Sequence, residues 1–214
     1  VIDPENEYGA FVRSLKGNVI DISGGNENII NPLQIRVNFD DNNGIKNSYD
    51  FHIQKIRNFF NILLPELRYT ELNLLIRELE KTYTNFKINR ETDFTKLNNK
   101  DYPILSDLYK TIKTSFISID KDDDYYLTYR VILDFIRELT SGIYSKMFNE
   151  HTNINLDNDI TIFNISEVQN VEDNIKKALY YNLLNFCWEQ ITNNKKKNEN
   201  TFLILDEAHL MLDS

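Results

Sequence analysis

A single cysteine, Cys187, stands in 214 residues, so an internal disulfide is excluded. It lies between Phe186 and Trp188 in an apolar stretch and reads as a core residue of a reducing compartment. No run of about 18 or more apolar residues occurs, and no charged start leads into an apolar segment, so neither a membrane span nor a signal peptide is legible. The net charge of -9 and pI near 4.9 leave no broad basic face for nucleic acid. Lys195 to Lys197 is the only compact basic run, and it reads as a solvated helix end, which disfavours direct DNA binding. A phosphate-cradling loop of the form G-x-x-x-x-G-K-S/T is missing too. Gly24-Gly25 lacks the lysine and the following helix, and reads as a turn.

What is present suffices for a folded domain. Hydrophobic residues make up 41% and aromatics 12%, away from the disordered class. Val1-Ile2-Asp3-Pro4 reads as the end of a buried strand, and Leu203 to Glu207 as a strand delivering residues to a site, so both ends are expected to be cuts through a larger domain. Glu5 to Leu15 places Tyr8, Phe11, Val12 and Leu15 at helical spacing, with Gly17 as the closing residue beyond the helix. A strand is expected over 19–22, and Asn31-Pro32-Leu33 should be extended. From 48 to 144 the helical period recurs over 49–64, 69–83, 104–117 and 127–139, which reads as an all-helical insertion. The expected division is 1–44, first part of an α/β domain; 45–150, helical insertion; and 151–214, second part of the same domain. In the last part a β-branched run, 160–165, precedes a helix over 171–192 that Asn193 and the lysines stop. Phe202-Leu203-Ile204-Leu205 then reads as a parallel strand covered on both faces.

The sharpest chemical feature is Leu205-Asp206-Glu207-Ala208-His209, adjacent carboxylates at the C-terminal end of a strand, where α/β sheets bind ligands. An aspartate there can hold Mg²⁺ against a nucleotide's phosphates, and the next glutamate can orient and deprotonate water. The same pattern is also ordinary helix capping. A second acidic junction, Asp3-Pro4-Glu5-Asn6-Glu7-Tyr8, would share that edge if the strands are parallel. Other motifs fall away. Asp120 to Asp124 starts like a calcium loop, yet Tyr125 and Val131 stand where glycine and glutamate are needed. His52 and His151 have no ligand-spaced partner. His209 resembles the DEAH signature and also suits a plain helix start. Tyr125, Tyr126, Tyr129, Phe59 and Phe60 suit a helical core or a subunit contact better than base stacking.

Taken together, Ile2-Asp3-Pro4-Glu5-Asn6-Glu7-Tyr8, Asn31-Pro32-Leu33, the helical insertion and Leu205-Asp206-Glu207-Ala208-His209 resemble the VirB-type (TraE/TraC-like) conjugation and type IV secretion ATPases of the HerA/FtsK-like P-loop motors. The resemblance spans essentially the whole chain in order. It implies a three-layer, partial RecA-like fold, a mainly parallel sheet flanked by helices, and ATP with Mg²⁺ as cofactors in the intact parent. It also implies homo-oligomers, dimer or hexamer, working with other secretion subunits at the cytoplasmic face of the membrane to energise pilus assembly or substrate transfer. By the same resemblance Asp206 matches the Mg²⁺-coordinating Walker B acid and Glu207 the catalytic glutamate. Asp3 and Glu7 match an acidic pair, Asp3 as a nucleotide-site residue and Glu7 helping to position water; a plain first-turn glutamate is the simpler reading of Glu7. With the Walker A loop outside the chain, this polypeptide alone is expected to hydrolyse no ATP. A DNA-translocating HerA/FtsK-like motor and a non-catalytic helical docking module stay open as alternatives.

Overall fold

A computed structural model of the chain describes residues 1–22, 28–37, 48–156 and 158–208; the Gly24-Gly25 turn and His209 fall outside them. The elements run β1 (Ile2–Asp3), α1 (Gly9–Ser14), β2 (Asn18–Asp21), α2 (Ser48–Leu63), α3 (Tyr69–Asn85), α4 (Leu105–Ile117), α5 (Tyr126–Ser141), α6 (Ser145–Phe148), β3 (Thr161–Asn164) and α7 (Asp173–Lys196). The result is a mixed α/β fold with a small parallel sheet and many helices. The three strands are parallel in the order β1-β3-β2. Parallel neighbours cannot be joined by tight turns, so each link is a crossover: α1 between β1 and β2, the helical block between β2 and β3.

One contiguous core joins these parts. Ile2, Ile20 and Phe163 from the sheet are buried together with Leu179, Leu183 and Phe186 of α7 and Ile56, Phe59 and Leu63 of α2. The Phe163 and Phe186 rings meet edge to face at 6.2 Å, and Phe59 meets Phe148 at 5.4 Å, in the favourable geometry for aromatic pairs. Inside the block, buried Glu78 ties three helices: its carboxylate accepts from Ser115 of α4 at 2.6 Å and Tyr129 of α5 at 2.7 Å. Polar groups buried this way must be bonded, and the pairing fixes how α3, α4 and α5 dock.

Several expectations change. Helix α1 starts at Gly9, and only Val12 of its expected apolar face is buried; Phe11 is 62% exposed and Tyr8 and Leu15 are exposed as well. Helix spacing reports a common face, not what covers it. The residue that closes α1 in the left-handed conformation is Lys16, at φ 60°, with Lys16 N donating to Arg13 O at 3.0 Å and Gly17 N to Val12 O at 2.9 Å. Gly17 is required for space instead, because a Cβ there would lie 2.6 Å from Val12 Cγ1 and 2.8 Å from the Ile160 carbonyl oxygen. Likewise α7 runs through Asn193 and the first lysines to Lys196, and left-handed Asn198 turns the chain. The 202–205 segment is extended beside β1 but pairs with it only at Leu205, and Phe202 and Ile204 are 87% and 56% exposed. The expectation of a strand covered on both faces is therefore wrong for the described residues.

The segment 28–37 crosses the interior and turns at Pro32-Leu33, where Gln34 N donates to Asn31 O at 3.3 Å, so the expected extension over Asn31-Pro32-Leu33 is corrected: proline restrains the residue before it, not the turn it opens. Asn31 N donates to Thr152 Oγ1 (2.9 Å), Asn31 Nδ2 to Pro103 O (2.9 Å), and Leu33 N to Asn31 Oδ1 (3.0 Å). Asn31 thus serves packing, satisfying backbone that no strand ladder reaches. Arg36, farther along, bonds buried Glu189 of α7 at 3.2 Å and covers the Phe186 ring at 4.5 Å, while Lys55 of α2 reaches the same carboxylate at 2.7 Å.

Candidate functional site

Register places the strand ends in a row. Asp3 pairs with Asn164, and Asn164 with Asp21. On the other side of β1, Ile2 N donates to Ile204 O at 2.9 Å and Asp206 N to Ile2 O at 3.2 Å, so Leu205 is the partner of Ile2 and Asp206 emerges beside Asp3. The C-terminal edge of the sheet therefore reads Asp206, Asp3, Asn164, Asp21. This is the edge at which open α/β sheets place ligands.

The members of the row do different work. Asp3 is fully buried, and its carboxylate is occupied by main chain: Oδ1 accepts from Glu5 N and Glu7 N, each at 3.2 Å, and Oδ2 from Tyr8 N at 3.0 Å. Asn6, left-handed at φ 58°, curls the loop so that these amides converge. Glu7 is exposed and lies before α1, whose first turn holds no acidic residue, so the first-turn reading of Glu7 is corrected. Asn164 donates from Nδ2 to Asp21 Oδ1 at 2.7 Å and accepts at Oδ1 from Ser166 N at 3.1 Å.

Asp206 is half-buried and accepts from Glu207 N at 3.0 Å. The Asp206 charge, more than any other cause, raises the Tyr8 pKa. Glu207 is exposed and left-handed, φ 47°. A non-glycine residue there is uncommon, and such strain gathers at functional sites.

An ATP–Mg²⁺ pair can be tested against these groups. Mg²⁺ keeps several waters and takes one or two carboxylates beside the phosphates. Asp206, with a carboxylate turned to the edge and only partly engaged, fits as such a ligand; Asp3, its oxygens filled by three amides, fits as a scaffold for the loop. Among the described residues no cluster of three or more His, Cys, Asp or Glu forms a metal cage. Sequence reasoning missed Asn164 and Asp21, and it placed Tyr8 on a helix face. A signal was available: V-I-D at 1–3, N-V-I-D at 18–21, T-I-F-N at 161–164 and L-I-L-D at 203–206 all end in an acidic residue or its amide.

The fold has a relative among solved structures. VirB4 of Thermoanaerobacter pseudethanolicus superposes with a TM-score of 0.85 at 30% identity, over 98% of this chain and 74% of that one. The chain belongs to the VirB4 family of type IV secretion ATPases. No family model matches the sequence, and no curated protein matches it. The VirB4 likeness covers sheet, helical block and α7 alike, as the near-complete coverage requires. Among the described residues no helix is long and apolar enough to cross a membrane, as the sequence also implied.

Proposed function

We propose that this chain is the Walker B part of a RecA-like motor domain that hydrolyses ATP to drive pilus assembly or substrate transfer in a conjugative or type IV secretion system. The observation that carries this reading is the Asp206-Glu207 pair leaving the sheet edge directly beside the Asp3 loop, on a chain of the VirB4 family. Bound Mg²⁺ would supply charge stabilisation for the transferring phosphoryl group. Asp206 would hold the ion with its carboxylate. Glu207 accepts a proton from the attacking water, a role worth about 10²–10⁴-fold in rate. Asp3 fixes the loop that carries Glu7 and Tyr8, and Glu7 stands exposed at the rim where water or a neighbouring copy's group can reach it. The cradle for the β and γ phosphates comes from a Walker A loop that this sequence does not contain. The parent works as an oligomer with other secretion subunits at the cytoplasmic face of the membrane.

The test uses the parent protein carrying a Walker A loop. Glu207→Gln is expected to lower ATP turnover by about 10²-fold or more while ATP binding persists, as expected for loss of a general base; unchanged turnover overturns the assignment. The chain alone is expected to release no phosphate from ATP. Steady release that disappears in Glu207→Gln would refute that expectation.

A further inference from the structure

The ends of α2 and α5 and the start of α7 enclose an open groove of about 920 Å³. Its floor is apolar, with Leu64, Leu139 and Ile175 buried and Ile143 on the lip 76% exposed. Its perimeter carries the carboxylates of Glu66, Glu138, Glu172 and Asp173 against the single ammonium of Lys177. Asp173 is paired with Lys176 at 3.2 Å and Lys177 at 3.0 Å. Glu66 and Glu138 take part in no ion pair among the described residues.

Backbone electrostatics point the same way. Helices α2 and α5 both end at the groove, and neither has a basic residue in its last turn; neutral amides bond their last carbonyls, Asn174 Nδ2 to Leu63 O at 2.8 Å and Asn149 Nδ2 to Thr140 O at 3.1 Å, so no cation of either helix offsets the negative dipole ends. The positive start of α7 is already met by Glu172 and Asp173. An apolar trough with an acidic rim repels phosphate backbones and anionic lipid. It is the complement of an amphipathic helix whose polar face is cationic, laid in by anchors at i, i+3, i+4 and i+7. A second copy is a poor complement for this groove, because the sequence offers no compact basic run beyond Lys195 to Lys197 to meet an acidic rim.

We propose that this groove docks a lysine- or arginine-rich amphipathic helix of another polypeptide, its apolar stripe on Leu64, Leu139 and Ile143 and its cations on Glu66 and Glu138. The proposal stands apart from the nucleotide reading, since none of its residues lies at the sheet edge. The probe is a fluorescein-labelled peptide of two Leu-Lys-Lys-Leu-Leu-Lys-Leu repeats, titrated by anisotropy. The counterpart with glutamate in place of lysine is expected to bind at least about tenfold more weakly. Glu66→Lys with Glu138→Lys, and separately Ile143→Asp, are expected to weaken binding about tenfold or more, with thermal unfolding unchanged because all three side chains are exposed. Asp122→Lys with Asp124→Lys makes the same change in net charge on the exposed loop before α5, about 20 Å along that helix from Glu138 at about 1.5 Å per residue and so beyond the screening distance, and is expected to leave binding within about twofold. Equal losses in groove and loop variants, or no binding by the lysine peptide, overturn the proposal. So does self-association of the chain that Ile143→Asp abolishes and the peptide fails to compete, which would make a second copy the occupant.

Discussion

The helical block and the outer edge of the sheet treat apolar residues in opposite ways. In the block, Leu75, Leu79, Leu105, Leu108 and Ile136 are fully buried, and even Glu78 has both carboxylate oxygens bonded. At the edge, Phe202 and Ile204 face solvent. The helical interior and its junction with α7 therefore hold the described fold together, and the strongest hydrophobic run near the candidate site contributes little to it. A chain of this kind can keep its chemistry on a lightly anchored segment because a separate region supplies the packing.

The comparison is broken most severely where the block meets α7. Glu189→Ala strands Arg36 and Lys55 beside an apolar wall, and is expected to cost about 3–5 kcal/mol in urea unfolding. Leu79→Ala opens a cavity in the block and should cost about 2–5 kcal/mol by the same measurement. Asp3→Ala leaves three loop amides without their acceptor and should cost about 1–2 kcal/mol, as lost caps do. Phe202→Ser, on the exposed edge, is expected to stay within about 0.5 kcal/mol. If Phe202→Ser proved as costly as Leu79→Ala, the contrast between the regions would fail.

A pH experiment sharpens the same contrast, because the block holds a buried imidazole. Tyr83 donates its hydroxyl proton to Leu33 O at 2.6 Å, so it must accept from His52 Nε2 at 2.8 Å, which fixes the neutral Nε2–H tautomer. Burial above all, with Lys55 and Arg36 adding to it, lowers the His52 pKa from 6.5 to about 3. Between those values the unfolded chain binds a proton that the folded chain refuses, so stability present above pH 6.5 is lost as pH falls toward 3. The stability difference between the parent chain and His52→Gln is expected to shrink by up to about 1.4 kcal/mol per pH unit through that window. A difference that stays constant from pH 7 to 4 would show that His52 is not held neutral.

The long helices were legible because each has a wide apolar stripe and a real partner surface: α2, α3, α4 and α5 lie within two residues of the periodic windows. The parallel sheet was legible at 160–165 and 19–22, where β-branched residues cluster. The failures have physical causes. Periodicity at Tyr8, Phe11 and Leu15 carried no information on whether anything covers that face. Glycine after α1 suggested a left-handed closing residue, when Lys16 takes that conformation and Gly17 answers crowding from Ile160, a contact 143 positions away in sequence. At the candidate site, Asp206, Glu207 and Asp3 stood out because each follows a strand pattern and precedes a polar loop. Asp21 and Asn164 did not, since an ordinary strand-terminal Asp or Asn gains meaning only through parallel register. The division of labour between Asp3 and Asp206 was not legible at all, as it depends on which oxygens the loop amides reach.

Three helices hand the chain onward through a residue at positive φ that is not glycine: Lys16 after α1, Lys87 after α3 and Asn198 after α7. After each, the third amide beyond the helix reaches back to a carbonyl five residues earlier, Gly17 to Val12, Ile88 to Tyr83 and Glu199 to Asn194, so the main chain sets the exit direction. A lysine held there suffers Cβ crowding of about 1–2 kcal/mol that glycine would escape. These exits lie outside the carboxylate edge and the acidic trough, which makes Lys16→Gly and Lys87→Gly routes to a hardier protein that leave both surfaces as they are.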